Sequence, residues 1–456
     1  MNKLLYIIII LPSFLFAQAE LNKISSAKLW WLGQSSFGTL TNIEYDKLKF
    51  YDNLSTFAVS DLIKNSEECS VIHRASYNMY GMRIPTIESS FSIDQWGKEY
   101  TALNNGYYFI KCAENKKIII QVTPTYNYST YINIIFSDSD LSLGMKTQSL
   151  LTQYEKEKNI YRSSVIEITK RGYEGFVFQY LTNVSDFQYS WDDFILAPEL
   201  KNETSFLTQN FLLQLANHKH QHKKGVLLYG PPGTGKSFLG QVLITETLYG
   251  NLKNKNTFYT VSARHFSSLN SLKRLFRSAD TLSPSVVFFE DVDLMGVADR
   301  DGTHNDEASS ILNEFLNQLD GLRPLDKVLT IATTNKATNL DPALIRSGRL
   351  GTHLYFGLPK LEERKMFFNR FLMKSVILGS DIDLEELLSL SEGLSGADII
   401  EFISVAKQEA LLNDSWSDDK LLVNKSAFEM AYSLIKRPVR GAETLNKILI
   451  FNKDLL

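Results

Sequence analysis

Gly230-Pro-Pro-Gly-Thr-Gly-Lys236-Ser237 decides how the rest of this chain is read. It fits G-x-x-x-x-G-K-[ST], follows the apolar run Val226-Leu227-Leu228-Tyr229, and precedes an apolar helix expected from Phe238 to Leu248. In that strand–loop–helix setting the glycines free backbone N–H groups and the helix N-terminus adds its dipole, so the loop forms a concave donor surface for β- and γ-phosphates. Lys236 supplies a point charge to those phosphates, and the Ser237 hydroxyl is a Mg²⁺ ligand. The candidate nucleotide-binding segment is therefore Gly230, Pro231, Pro232, Gly233, Thr234, Gly235, Lys236, Ser237 and Phe238. A glycine-rich turn matching by chance would not carry a strand signal on one side and a helix signal on the other.

Three further stretches extend the site. Pro284-Ser-Val-Val-Phe-Phe-Glu290-Asp291-Val-Asp293 has four apolar residues fit for a buried parallel strand, with carboxylates at its C-terminal end. Ligands bind at that end of open α/β sheets. Glu290 is placed to help hold Mg²⁺, and Asp291 to orient and polarise an attacking water. Val328-Leu-Thr-Ile-Ala-Thr-Thr334-Asn335 is a second apolar strand, whose terminal amide could position that water or touch the γ-phosphate. In Leu340-Asp-Pro-Ala-Leu-Ile-Arg346-Ser-Gly-Arg349 two arginines three apart share a direction if the segment is helical. A guanidinium can stabilise a transferring phosphoryl group by roughly 10³–10⁵ in rate; the plainer alternative is a pair of solvated surface arginines. If they serve a neighbouring subunit's site, activity requires a ring. Glu290, Asp291, Asn335, Arg346 and Arg349 are the candidate catalytic set, with Ser237 and Glu290 on the metal.

With Leu312-Asn-Glu-Phe-Leu-Asn-Gln-Leu-Asp-Gly321 and Gly393-Leu-Ser-Gly-Ala-Asp-Ile399, these pieces make residues 191–413 resemble an AAA ATPase module of the clade with a second region of homology. That resemblance implies ATP and Mg²⁺ at Lys236 and Ser237, Asn335 as first sensor, and Arg346 and Arg349 as fingers acting on the next subunit. It implies a homo-oligomeric ring (hexamer or heptamer), a protein client, and a lid helix from 393–399 near the adenine. Two departures stand out. The family usually has Asp-Glu where this chain has Glu290-Asp291, which lengthens the metal-side arm and shortens the water-side arm. The aromatic-apolar-Gly pore loop of substrate-threading members is missing from Phe266-Ser-Ser-Leu-Asn-Ser-Leu-Lys-Arg-Leu-Phe276. A branch that shares both departures, the mitochondrial membrane ATPases that insert the Rieske iron–sulfur protein into complex III, is similar in layout from end to end.

At 456 residues the chain is long for one core, which rarely exceeds ~250–300 residues. The fold class expected is α/β: a parallel-sheet AAA core (191–358) with a helical lid and C-terminal tail (359–456), preceded by a β-rich α+β domain (21–190). A net charge of −3 without a long Lys/Arg run gives no reason to expect nucleic acid. Cys69 and Cys112 are the only cysteines, too few for a disulfide framework or a Cys-based zinc site, though one bridge stays open. His218, His220 and His222 have no carboxylate or cysteine beside them and read as a solvated linker. A zinc protease is not the expectation, because the sequence shows no H-E-x-x-H and no histidine after His353. Residues 1–20 pair Lys3 with the apolar run Leu4–Phe16 and Ala17-Gln18-Ala19, a pattern shared by signal peptides and short anchors. An ATPase must sit where ATP is, so the expectation is a retained anchor, with membrane contact through residues 4–17 and the ATPase domain on the ATP-containing side. A nucleotide-gated scaffold with little turnover is the non-enzyme alternative.

Overall fold

The computed structural model describes residues 38–44, 69–77, 83–84, 89–93, 99–102, 106–124, 130–136, 140–157, 159, 161–170, 176–180, 187–217, 224–262, 269–295, 305–320, 327–373, 376–417 and 420–435. The segment 1–20, His218–His222, and residues 263–268 of the strand-to-helix passage lie outside the described residues. No described helix is long and apolar enough to cross a membrane.

Short β-branched and aromatic runs build the N-terminal part. Its strands are β1 (Gly38–Glu44), β2 (Cys69–Tyr77), β3 (Arg83–Ile84), β4 (Ser89–Ile93), β5 (Glu99–Ala102), β6 (Gly106–Cys112), β7 (Lys117–Pro124) and β8 (Thr130–Phe136). Strands β1-β8-β7-β6-β2-β3 pair in that order into a six-stranded antiparallel sheet, and β4 and β5 form a separate hairpin. Alternation puts Ile118, Ile120, Val122, Ile132 and Ile134 on one face, where Leu151 of helix α1 (Leu141–Glu157) joins their cluster. Cys69 and Cys112 are directly opposed on β2 and β6 and form a disulfide, which closes the question that their number left open.

The chain then builds the α/β unit. Its elements are β9 (Val165–Lys170), β10 (Phe176–Tyr180), α2 (Pro198–Ser205), α3 (Phe211–Asn217), β11 (Lys224–Tyr229), α4 (Lys236–Leu248), β12 (Thr257–Ser262), α5 (Leu269–Thr281), β13 (Ser285–Glu290), α6 (Asn305–Asp320), β14 (Val328–Thr334) and β15 (Thr352–Tyr355). Strands β10-β9-β12-β13-β14-β11-β15 form one seven-stranded sheet, parallel throughout except for the edge strand β10. Both faces are covered, which is why β13 and β14 are near-continuous apolar runs. On one face α4 and the 194–215 segment pack against Val226, Leu228, Phe258, Phe288 and Ile331. On the other, α5 and α6 pack against Leu227, Tyr259, Val287, Phe289 and Ala332. Leu272, Leu275, Phe276 and Ala279 make the buried stripe of α5 at helical spacing. Phe288 and Phe289 are almost fully buried on opposite faces, each contributing about 1.5–3 kcal/mol.

One expectation needs correcting here. Residues 165–180 fall within the 21–190 span expected for the β-rich domain, yet β9 pairs with β12, Val165–Ile168 against Phe258–Val261. The α/β sheet thus begins at Val165, inside the span given to the first domain. Composition could not show this, because a strand's residues do not say which sheet it joins.

The C-terminal part is α7 (Leu361–Phe371), β16 (Val376–Leu378), α8 (Leu384–Leu390), α9 (Gly396–Leu412), β17 (Trp416–Ser417), β18 (Lys420–Val423) and α10 (Lys425–Ile435). Its helices enclose their own core of Phe368, Leu387, Ile399, Phe402, Val423 and Phe428. A small sheet, β16-β18-β17, is added to the helical unit that the periodicity predicts.

Candidate functional site

Strand β11 ends at Tyr229, and the loop that follows is shaped by its glycines. Gly230 has φ +144°, and a Cβ there would lie 2.1 Å from the Phe356 carbonyl oxygen. Gly233 has φ +75°, and a Cβ would meet the Ser395 hydroxyl at 2.4 Å. Helix α4 opens at Lys236, whose side chain is 5% exposed. Its ammonium donates to the carbonyls of Gly230 (2.9 Å) and Pro231 (2.6 Å), and the Thr234 hydroxyl also donates to Pro231 (2.8 Å). Burial pulls the Lys236 ammonium below the ordinary lysine range, while Asp291 and Asp293 oppose that shift. Phe238 follows Ser237 in the first turn of α4. Its ring packs between Tyr189 and Phe194, at 4.9 and 5.4 Å between centroids.

The carboxylates stand on the neighbouring strand tips. Glu290 closes β13, with the Ser237 hydroxyl near enough to stabilise its carboxylate. Burial pushes its carboxyl up, the Ser237 hydroxyl opposes this, and Asp291 adds to the rise. A hydroxyl and a half-buried carboxylate side by side are hard oxygen donors that suit Mg²⁺, which keeps few protein ligands and takes the rest from phosphate and water. A cation there would offset the desolvation of Glu290. Asp291 adopts a left-handed conformation (φ 52°, ψ 55°) that turns the chain sharply off the strand. Asn335, just past the end of β14, donates to the Asp291 carboxylate at 3.3 Å. Ser237, Glu290, Asp291 and Asn335 are thus brought together with Lys236 at the C-terminal edge of the sheet.

The two arginines part company. Residues 341–350 are a run of turns rather than a helix, with an i→i+3 bond from Arg349 N–H to the Arg346 carbonyl (3.1 Å) and Gly348 at φ +91°. The condition for a shared direction is therefore not met. Arg346 is exposed. Arg349 is held in its own chain, bonding Asp320 through Nε and Nη2 (3.0 Å each) and the Ala343 carbonyl (2.7 Å).

The lid stretch 393–399 is expected from the resemblance, but its contacts with the loop, and those of segment 190–194, are not legible in the sequence. Ala397 N–H, at the start of α9, donates to the Gly233 carbonyl (3.0 Å), and Ser395 caps that helix in a reciprocal box with Asp398. Phe194 lies where a Cβ on Gly235 would touch its ring at 3.0 Å. Asp193 accepts from Ser190 N–H (2.6 Å) and hydroxyl (2.7 Å) and pairs with Arg370 of α7. The segment 190–194 therefore ties the lid to the edge of the site. The quoted D-I stretch at 398–399 and the Asp192-Asp193 pair were visible signals, but neither discloses its spatial partner.

Residues 226–358 match the model of the "ATPase family associated with various cellular activities (AAA)". The yeast (Saccharomyces cerevisiae) "ATPase family gene 2 protein" is 34% identical over 221 residues, 47% of this chain and 27% of that protein. The "Proteasome-activating nucleotidase" of Saccharolobus islandicus is 40% identical over 184 residues, 39% of this chain and 45% of that protein. "ATP-dependent zinc metalloprotease FtsH 1" of Rhodopirellula baltica is 34% identical over 234 residues, 49% of this chain and 33% of that protein. The chain thus spans less than half the length of each of these relatives.

Proposed function

An AAA ATPase domain occupies residues 226–358, and from that premise we propose that this chain is a ring-forming, Mg²⁺-dependent ATPase that couples ATP hydrolysis to remodelling or moving a protein client at a membrane. The observation that carries the reading is the convergence of Lys236, Ser237, Glu290, Asp291 and Asn335 on one edge of the sheet. The loop N–H groups and Lys236 bind and neutralise the phosphates. Ser237 and Glu290 would hold Mg²⁺, which when bound would screen the charge that develops on the transferring phosphoryl group. Asp291, held by Asn335, orients and polarises the water that attacks the γ-phosphate. Arg346, exposed on its turn, completes the site of an adjoining subunit, while Arg349 steadies the turn that presents it.

A protein client is supported by the likeness to the proteasome-activating nucleotidase. Membrane attachment rests on the apolar residues 4–16, and the likeness to the Rieske-inserting branch on the Glu290-Asp291 order and the layout. A second reading, a nucleotide-gated scaffold with little turnover, is favoured by that same order, because Asp291 is one methylene shorter than the usual glutamate. Steady-state ATP hydrolysis separates the two. Wild-type turnover well above that of Lys236→Ala is the expected result; equal rates would leave the scaffold.

A further inference from the structure

The proposed mechanism uses Asn335 and Asp291 but not the side chains that bring them together. The backbone ladder between β13 and β14 ends at the pair Phe289↔Ala332, before either group is reached. Past that point two threonine hydroxyls continue the connection. Thr333 Oγ1 accepts from the Asp291 N–H at 3.2 Å. Thr334 Oγ1 donates to the Asp293 carboxylate at 2.6 Å and accepts from the Lys336 N–H at 2.9 Å. Both threonines are buried, at 2% and 0% exposure, so their hydroxyls are largely withdrawn from bulk water even though their partners are only partly buried. Asp291 carries the first tie on its own N–H and stands two residues before the second, in a left-handed conformation that costs a non-glycine residue free energy.

We infer that Thr334 and Asp293 are positioning residues for ATP hydrolysis: their bond locks the two strand tips in register, so that Asn335 meets Asp291. The inference rests on the hydrolytic reading above and deepens it. Neither side chain needs to touch nucleotide. The Thr334 hydroxyl spends its proton on Asp293 and accepts the N–H just beyond Asn335, which fixes the turn from which that amide projects.

The test is the full chain carrying Thr334→Val, which keeps shape and removes the hydroxyl. Turnover should fall about 10–100-fold, as a misplaced catalytic group causes, with nucleotide Kd within twofold of wild type. Thr334→Ser should restore most of the rate, because it restores the donor. Asp293→Asn still offers an acceptor and should lie within about threefold of wild type, while Asp293→Ala should match Thr334→Val. The double variant Thr334→Val/Asp293→Ala should be no slower than either single, as expected of one shared bond. If Thr334→Val does not fold, Thr334→Ala takes its place with the same expected loss. An active wild type with Thr334→Val within twofold of it, no rescue by serine, or losses that multiply in the double variant would each overturn the latch alone. An inactive wild type would overturn the hydrolytic reading and this inference with it.

Discussion

Asp193 shows how much one side chain can do away from the chemistry. Burial by itself would raise its carboxyl, but the Ser190 N–H and hydroxyl, together with the Arg370 guanidinium, hold it below the ordinary aspartate range. A carboxylate whose folded pKa is depressed contributes stability that is present above its unfolded pKa and lost as pH falls through the folded value. Asp193→Asn should therefore lower Tm at pH 7 by about 2–4 °C, equivalent to about 1 kcal/mol for a partly solvated pair. The gap to wild type should close as pH drops below ~3.9. Thermal melts between pH 3 and 7 check this, and a gap that stays constant across that range would assign the loss to packing. Lys236, Ser237, Glu290, Asp291 and Asn335 were all legible, because each sits at a fixed offset from a strand end. Asp193 was not, since its partner Arg370 lies 177 residues away.

The decisive element is β9, a strand whose sequence, Val165-Ile-Glu-Ile-Thr-Lys170, would suit either sheet. Its pairing with β12 covers what would otherwise be an open parallel edge carrying Phe258, Tyr259 and Val261. Arg162, just before it, donates to the carbonyls of Ser283 (2.7 Å) and Thr281 (3.1 Å), which ties the strand's entry to the turn before β13. A fragment starting at residue 187 removes β9 and β10 and leaves the β12 edge unpaired, an invitation to edge-to-edge association. That fragment (187–435) should aggregate, whereas 159–435 should remain monodisperse; light scattering on the two distinguishes them. Equal solubility would mean that β9 is dispensable to the sheet.

At the scale of the whole molecule the question is where Arg346 acts. It is exposed on a turn that Arg349 braces through Asp320, whereas the five groups of the site lie on strand tips and the phosphate loop. Under the ring proposal, Arg346→Ala should spare nucleotide binding yet reduce hydrolysis by about 10³-fold or more. An interface that repeats head to tail permits complementation. Mixing Arg346→Ala subunits with Lys236→Ala subunits should regain about a quarter of wild-type turnover, because a random ring pairs an intact loop with an intact finger at about one interface in four. Two inactive variants that stay inactive when mixed, although they co-assemble, would place the arginine's role within its own subunit.

The sequence by itself determined where the glycine-rich loop and the strand-terminal carboxylates fall, because these are local patterns written in consecutive residues. It determined the α/β class for the same reason, since apolar strands and amphipathic helices alternate along the chain. Only the tertiary structure decided which sheet β9 joins, that Cys69 faces Cys112, that Arg346 and Arg349 have different fates, and that Thr334 holds Asp293. Those outcomes depend on strand pairing and on side chains meeting across turns, where the free energy comes from contacts between distant segments and leaves no local mark.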